Sequence, residues 1–340
     1  MKKQQISIKD IAKICNVSTA TVSLVLNDSP KITQKTKEKV LKVIKEYEYY
    51  PNIIAKRLSK RITSTIAVIV PQISHIFNDY YFAESLSGIY DTALKYDYEI
   101  LLQVANKEFV ENKKYLRLFK EGRIDGALFV GSTLNDEYLK DFQNFSYPFL
   151  LVNSYLKNLK VPYIKGDAVE GGYIATKYLI SKGRKKLAFI AGSWDVSTTI
   201  DKFEGYKKAL QEFNINFDNN LIFTGNFTQI SGSIIADEIK NKNLLNKIDA
   251  IFSSNDLMAM GLIEKFKSFG VKVPDDIAIV GFDNNPLSEI CSPKITTIFL
   301  PVYEIASQCC EYIIKNKIEN KEFQPIFKTL PVKLIIRESA

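Results

Sequence analysis

Thr19, Ala20 and Ser23, just after Ser18, are short side chains inside the stretch SIKDIAKICNVSTATVSLVLN, residues 7–27. At the N-terminal end of a helix, such side chains are small enough to reach base edges in the major groove of DNA. Covalent chemistry has fewer carriers. The single histidine, His75, cannot supply a His-rich metal site, and the four cysteines (Cys15, Cys291, Cys309 and Cys310) lack metal-ligand spacing. Cys309 and Cys310 are adjacent, which disfavours a relaxed disulfide, so reduced thiols are expected. The chain holds no G-x-x-x-x-G-K-[ST], no G-x-S-x-G, no G-x-G-x-x-G after its first strand and no H-E-x-x-H. Asp and Glu are scattered without a marked pair. The expectation is a binding protein, with no enzyme activity, no metal and no cofactor.

The elements that must position the short side chains are legible in the spacing. Ser7 caps a first helix, with Asp10 three residues on completing a capping box. Ile8, Ile11, Ala12 and Cys15 then share one helical face. The turn falls at Asn16 and Val17. Ser18 caps a second helix, whose inner face is Val22, Val25 and Leu26, leaving Thr19, Ala20 and Ser23 outside. A third helix runs from Thr33 to about Glu46, with Val40, Leu41, Val43, Ile44 and Tyr47 on its apolar side, and Pro51 stops it. Residues 1–62 carry fourteen Lys or Arg against five Asp or Glu, a net of +9, in a chain whose total is +8. The positive charge is gathered in the first fifth, the footprint of a nucleic-acid module. An all-α helix-turn-helix head over residues 1–50 follows, joined by a basic linker over 51–62.

From Thr65 short β-branched runs alternate with helical segments. TIAVIV, EILLQVA, GALFVG and FLLVN form a first series. YIKGD, KLAFIAG, LIFTG, AIFSS and IAIVGFD form a second. This alternation predicts parallel sheets in a two-lobed α/β core over residues 63–340. Ligands of such sheets bind at the C-terminal ends of strands. Asn255 follows a strand and precedes a helix. Trp194 also sits at a strand end, where its ring could stack on a sugar. No run of eighteen apolar residues occurs, so no membrane span is expected. The N-terminus lacks the apolar segment of a secretory signal, which places the protein in the cytoplasm.

IKDIAKICNVSTATVSLVLN, KITQKTKEKVLKVIKEYEYYPNIIAKRL, VEGGYIATKYLISKG, FSSNDLMAMG, VPDDIAIVGFDNNPL and a terminal IIRES closely resemble the lactose-repressor (LacI/GalR) family of transcriptional regulators. The resemblance implies operator DNA and a small-molecule effector, most often a sugar, as partners, and a homodimer. It implies a core of the periplasmic-binding-protein type, with lobe 1 at about 63–161 and 293–324 and lobe 2 at about 162–292 and 325–340. It adds Ser7, Ser18, Thr21, Leu24 and Asn27 to Thr19, Ala20 and Ser23 as DNA-contacting positions. The linker corresponds to a hinge helix that orders on the operator. In it Leu58 is the minor-groove wedge, Ala55 permits close approach, and Lys56 suits phosphates, as do Arg57, Lys60 and Arg61. In the core, Phe227, Asp283 and Lys202 match effector-binding positions; without the resemblance Phe227 is one of twenty-one phenylalanines and Asp283 a helix cap.

The chain also departs from the family. Lys202 replaces a usual arginine, so bidentate gripping is lost. Leu300 replaces a frequent glutamine. About three extra residues fall around Ile76 to Tyr80, bringing His75, Asn78, Asp79 and Tyr80 into question as ligand contacts. Leu24 stands where some members carry a guanine-reading arginine, and offers only apolar contact to a thymine methyl. The expectation is a repressor of a carbohydrate-use operon, switched by a sugar. A regulator using a phosphorylated carrier protein as co-repressor stays open. A transporter's solute-binding protein is opposed by the basic head.

Overall fold

The computed structural model describes residues 6–26, 28–49 and 62–340. Two compact units divide the chain, Met1–Thr63 and Ser64–Ala340. Of the expected DNA contacts, Asn27, Ala55, Lys56 and Leu58 lie outside the described residues, as do the other hinge residues of 51–61.

In the first unit α1 (Ile8–Ile14), α2 (Thr19–Leu26) and α3 (Gln34–Glu46) close around Ile11, Ala12, Cys15, Val22, Val25 and Val40. Ser7 caps α1 as its spacing predicts: its amide and hydroxyl both donate to Asp10 Oδ2, at 2.9 and 2.6 Å, and its hydroxyl accepts from the Asp10 amide. Asn16 takes a left-handed φ of 47°, a conformation asparagine tolerates, and turns the chain into α2. Ser18 caps α2 by accepting from the Thr21 amide at 3.0 Å, and Thr33 caps α3. The predicted apolar side of α3 is too wide: Leu41 and Tyr47 are 43 and 49% exposed. A three-helix head covers only the narrow stripe of Val40, Val43 and Ile44.

Ser7→Ala should cost the head about 1 kcal/mol. Amide exchange along α1 in the full chain should accelerate about fivefold; unchanged exchange would mean that the capping box is idle. The Ser7 hydrogen bonds hold the Asp10 carboxyl below its ordinary range. A depressed acid stabilises above its unfolded pKa and loses that effect as pH falls, so the wild-type advantage should fade in acid.

The second unit begins with β1 (Thr65–Pro71), α4 (Tyr80–Lys95), β2 (Glu99–Ala105), α5 (Lys107–Glu111), α6 (Lys114–Lys120), β3 (Gly126–Val130), β4 (Phe149–Val152) and β5 (Tyr163–Gly166). It continues with α7 (Ala168–Ser181), β6 (Leu187–Ala191), α8 (Ser197–Glu212), β7 (Ile222–Thr224), α9 (Gln229–Asn241), β8 (Ala250–Ser253), α10 (Asp256–Ser268) and β9 (Ala278–Asp283). Then come β10 (Thr296–Phe299), α11 (Val302–Ile318), β11 (Phe327–Leu330) and β12 (Lys333–Ile335). Between β3 and β4 the chain forms a 3-10 helix over Glu137–Asn144 where an α-helix was expected.

Two six-stranded sheets result, in the orders β11-β5-β4-β3-β1-β2 and β12-β10-β9-β8-β6-β7. All neighbours run parallel except β10 and β12. Strands such as β3, β4, β6 and β8 are buried along their whole length, as expected where helices cover both faces.

The expected lobe boundaries need correction. β5 and β11 lie in the first sheet, although residues 162–292 and 325–340 were assigned to the second lobe. β10 lies in the second sheet, although 293–324 was assigned to the first. The chain therefore changes lobe after β5, after β10 and between β11 and β12. A β-branched run shows that a strand forms, but the sheet it joins depends on which edge is open, and that is not local information.

Candidate functional site

In the first unit, Ser18, Thr19 and Ala20 are exposed at the start of α2, Thr21 and Ser23 are half-buried, and Leu24 is 37% exposed. Val22 and Val25 on the opposite face are buried in the head. The packing thus turns the short side chains outward together. Ser7 is committed to the Asp10 box, and Ser18 to the cap of α2 and a 2.9 Å contact with the Thr21 hydroxyl.

In the second unit, a cavity of about 340 Å3 opens between the C-terminal edges of the two sheets. The first lobe lines it from its strand ends: Pro71 ending β1 and Ile73 beyond it, Ser132 and Thr133 after β3, Asn153 and Ser154 after β4. Asp79, Tyr80, Tyr81 and Phe82 join them from the start of α4. The second lobe contributes Ser193, Asp195, Thr198, Lys202, Phe227, Asn255, Asp256, Leu257 and Asp283. Leu300 lines the cavity where the chain crosses lobes and is 5% exposed.

Five of the seven expected effector positions are brought together: Tyr80, Lys202, Phe227, Asn255 and Asp283. His75 and Trp194 are not. His75 is exposed in a left-handed turn, φ 54°, ahead of the loop that delivers Asp79 and Tyr80. Trp194 turns toward its own lobe: its indole nitrogen donates to Thr224 Oγ1 at 2.9 Å and its ring meets Phe203 edge-on at 5.3 Å. Its neighbours Ser193 and Asp195 face the cavity instead. Sequence reading missed Ser132, Thr133, Ser154 and Asp195. The rule that ligands sit beyond strand ends would have found them.

Asn255 caps α10, accepting from the Met258 amide at 2.9 Å, and donates to the Phe227 carbonyl at 2.7 Å. The more obvious cap, Asp256, is buried in the first turn of the same helix. It accepts from Thr297 Oγ1 at 2.6 Å and the Asn285 amide at 2.7 Å, and burial holds its carboxyl well above the usual range. Phe227, at φ 67°, lays its ring where a side chain on Gly192 would stand, 2.0 Å from the ring carbon Cζ. Asp283 also carries a positive φ, 98°, and does not cap a helix. Backbone strain of this kind gathers at ligand-facing positions.

Lys202 is 4% exposed. A Cβ on Gly172 would stand 2.2 Å from the Lys202 carbonyl oxygen, so glycine there lets α7 and α8 approach and sets the lysine's depth. The ammonium donates to the Ser254 carbonyl at 2.8 Å, lies 3.9 Å from the centre of the Phe282 ring, and is 3.9 Å from Asp283 Oδ1. Burial lowers its pKa against the pull of Asp283 and Asp256. Burial likewise raises Asp283, which Lys202 lowers and Asp79 of the other lobe raises. Desolvation thus outweighs attraction for both members of a pair that makes no direct hydrogen bond. Tyr80, across the cleft, is pushed up to about 12 by burial first, then by Glu84, Asp283 and Asp256.

The lobes are also fastened beside the cavity. Asp201, next to Lys202 on α8, accepts from Lys165 of β5 at 2.5 Å and from the Tyr155 hydroxyl at 2.7 Å. The Leu134 amide donates to the Asp195 carbonyl at 2.7 Å. Among the described residues no cluster of His, Cys, Asp and Glu could hold a metal ion, and no helix is long and apolar enough to cross a membrane.

A helix-turn-helix unit and a two-sheet ligand cleft in one chain define a DNA-binding regulator. Residues 7–52 match the family described as bacterial regulatory proteins, lacI family, and residues 176–340 match the periplasmic binding protein-like domain. The HTH-type transcriptional regulator RegA of Clostridium saccharobutylicum is 35% identical over 98% of both chains. The HTH-type transcriptional repressor PurR of Vibrio atlanticus (strain LGP32) is 32% identical over 94% of this chain and 93% of its own. The lac repressor dimer, solved bound to operator and the anti-inducer ONPF, superposes with a TM-score of 0.85 at 21% identity over 99% of both chains. The protein belongs to the lacI family of transcriptional regulators, with the two-lobed core of that architecture.

Proposed function

We propose that the protein is a homodimeric repressor. Its paired heads grip a pseudo-palindromic operator in the cytoplasm, and a small molecule in the inter-lobe cleft switches that grip. The observation that carries this reading is the cavity between the strand ends, lined from both lobes, in a chain whose head turns an exposed helix start outward. A site shared by two lobes converts binding into relative lobe movement, because the ligand acts through its differential affinity for two arrangements. The cavity falls in the range of small-ligand sites, and its mixture of hydroxyls, amides and aromatic faces suits a sugar or sugar-derived effector of a carbohydrate-use operon. The solved lac repressor dimer supports operator, dimer and effector by fold alone.

The dimer face we assign is apolar and exposed in both lobes. Tyr90 and Leu94 on α4 are 56 and 65% exposed, Leu102 and Val104 of β2 are 40 and 42% exposed, and Ile230 and Ile234 on α9 are 73 and 61% exposed. The lining makes no catalytic constellation, and we assign the cleft no reaction.

The test is binding to a duplex that the protein itself selects from a random pool. Affinity should fall about a thousandfold between roughly 50 and 200 mM salt, because phosphate contacts by the basic head release counterions. A flat salt response would contradict the role of the +9 segment.

A further inference from the structure

The cavity's ionisable lining is one-sided. Among the described residues Asp79, Asp195, Asp256 and Asp283 face it with a single cation, Lys202. That cation is already engaged by the Ser254 carbonyl and the Phe282 ring, and stops 3.9 Å short of Asp283. Two of the acids are answered from within. Asp256 takes donors on both oxygens, and Asp195 accepts from the Ser193 hydroxyl. Asp283 has no hydrogen-bond donor among the described residues. Asp79 spends Oδ1 on the Tyr81 and Phe82 amides, leaving Oδ2 without one. These two acids come from opposite lobes. The Ser154 hydroxyl, on a residue 3% exposed that lines the same cavity, is also without a partner. Two half-buried acids facing each other across a cavity call for more positive charge than the single Lys202 ammonium, 3.9 Å from Asp283 Oδ1, provides.

We propose that the effector is a cation: a small ring compound carrying a protonated amine, held between Asp79 and Asp283, with Ser154 on a polar group and Tyr80 and Phe227 on its apolar face. The proposal rests on the ligand-switched reading above and narrows its ligand class. Aromatic rings favour a cation at their faces, so the same walls serve both parts of such a ligand. Because each lobe supplies one acid, the empty cleft sets like charges against each other and the filled one ties the lobes through the amine.

Calorimetric titration of the full chain with matched pairs reads the amine directly: glucosamine against glucose, galactosamine against galactose, tyramine against 4-ethylphenol. At least one amine should bind ten times more tightly than its neutral partner. The winning pair separates amino sugar from aromatic amine. N-acetylglucosamine should behave as the neutral sugar, and Asp283→Asn should erase the preference. A neutral partner binding equally well overturns the proposal. The small-molecule fraction of the producing cells, split on a cation exchanger and assayed on the selected duplex, decides the rest. A change in DNA affinity caused by the retained fraction supports a cationic effector. A change caused only by the flow-through overturns the amine and leaves the regulator reading intact. No change from either fraction overturns both.

Discussion

Lys202→Met is expected to destabilise the core by about 3–5 kcal/mol at neutral pH, the usual cost of removing one member of a buried ion pair. Methionine fills similar space, so packing against Phe282 survives and the loss is electrostatic. What remains is Asp283, half-buried, without a hydrogen-bond donor among the described residues, and without the ammonium that lowers its pKa. The sign with pH follows. A carboxyl whose folded pKa is raised contributes stability below its unfolded value and loses it as pH rises through the folded value. The penalty should therefore be small near pH ~4 and grow toward neutrality. Adding Asp283→Asn to Lys202→Met should recover most of the loss. Urea unfolding of the four proteins of that cycle measures the coupling. If Lys202→Met costs the same at both pH values, the two residues are packing neighbours and not an electrostatic pair.

Leu58→Ala should lower affinity for the selected duplex about a hundredfold, a loss of about 2.7 kcal/mol, while non-specific binding falls little. The role of Leu58 is our proposal from the family's pattern, since the residue lies outside those described. Its physical basis is that an apolar wedge unstacks a base step and kinks the duplex, and only a sequence that kinks easily repays the cost. Lys56→Ala should instead weaken both kinds of binding and flatten the salt dependence. Titrations against specific and random duplexes distinguish the two. Equal losses for Leu58→Ala on both duplexes would remove the wedge.

The head was legible almost residue by residue, because helix caps and one buried stripe are local properties. Ser7 with Asp10, Ser18, and the outward turn of Thr19 and Ala20 all follow from spacing. Leu41 and Tyr47 were misjudged because spacing gives a face but not the width of its cover. In the core the strands were legible and their sheets were not. That FKTLPVKLII crosses between lobes follows only from the family resemblance; in the structure Pro331 and Val332 divide it between the sheets as β11 and β12. The cleft was legible as strand ends. Which side chain of a loop faces it was not: Trp194 turns away while Ser193 and Asp195 on either side turn in. Lys202 stood out as a departure, but the Phe282 ring that receives its charge is visible only once α8 lies against β9.

The threading of the core sets a timetable for synthesis. A ribosome delivers the head first, and its six-residue core of Ile11, Ala12, Cys15, Val22, Val25 and Val40 needs nothing downstream. Neither sheet can be finished at that stage. The outer strand of the first arrives with Phe327 and that of the second with Lys333, and Ser339 then locks the latter sheet by donating to the Ile279 carbonyl and accepting from the Thr296 amide. Until those residues emerge, β5 and β10 each present a bare hydrogen-bonding edge, the kind that recruits strands from neighbouring chains. A nascent chain thus owns a finished helix-turn-helix head well before it owns the cleft that we propose switches it. A chain that stops before Phe327 should therefore carry a folded head on a core with two open sheet edges.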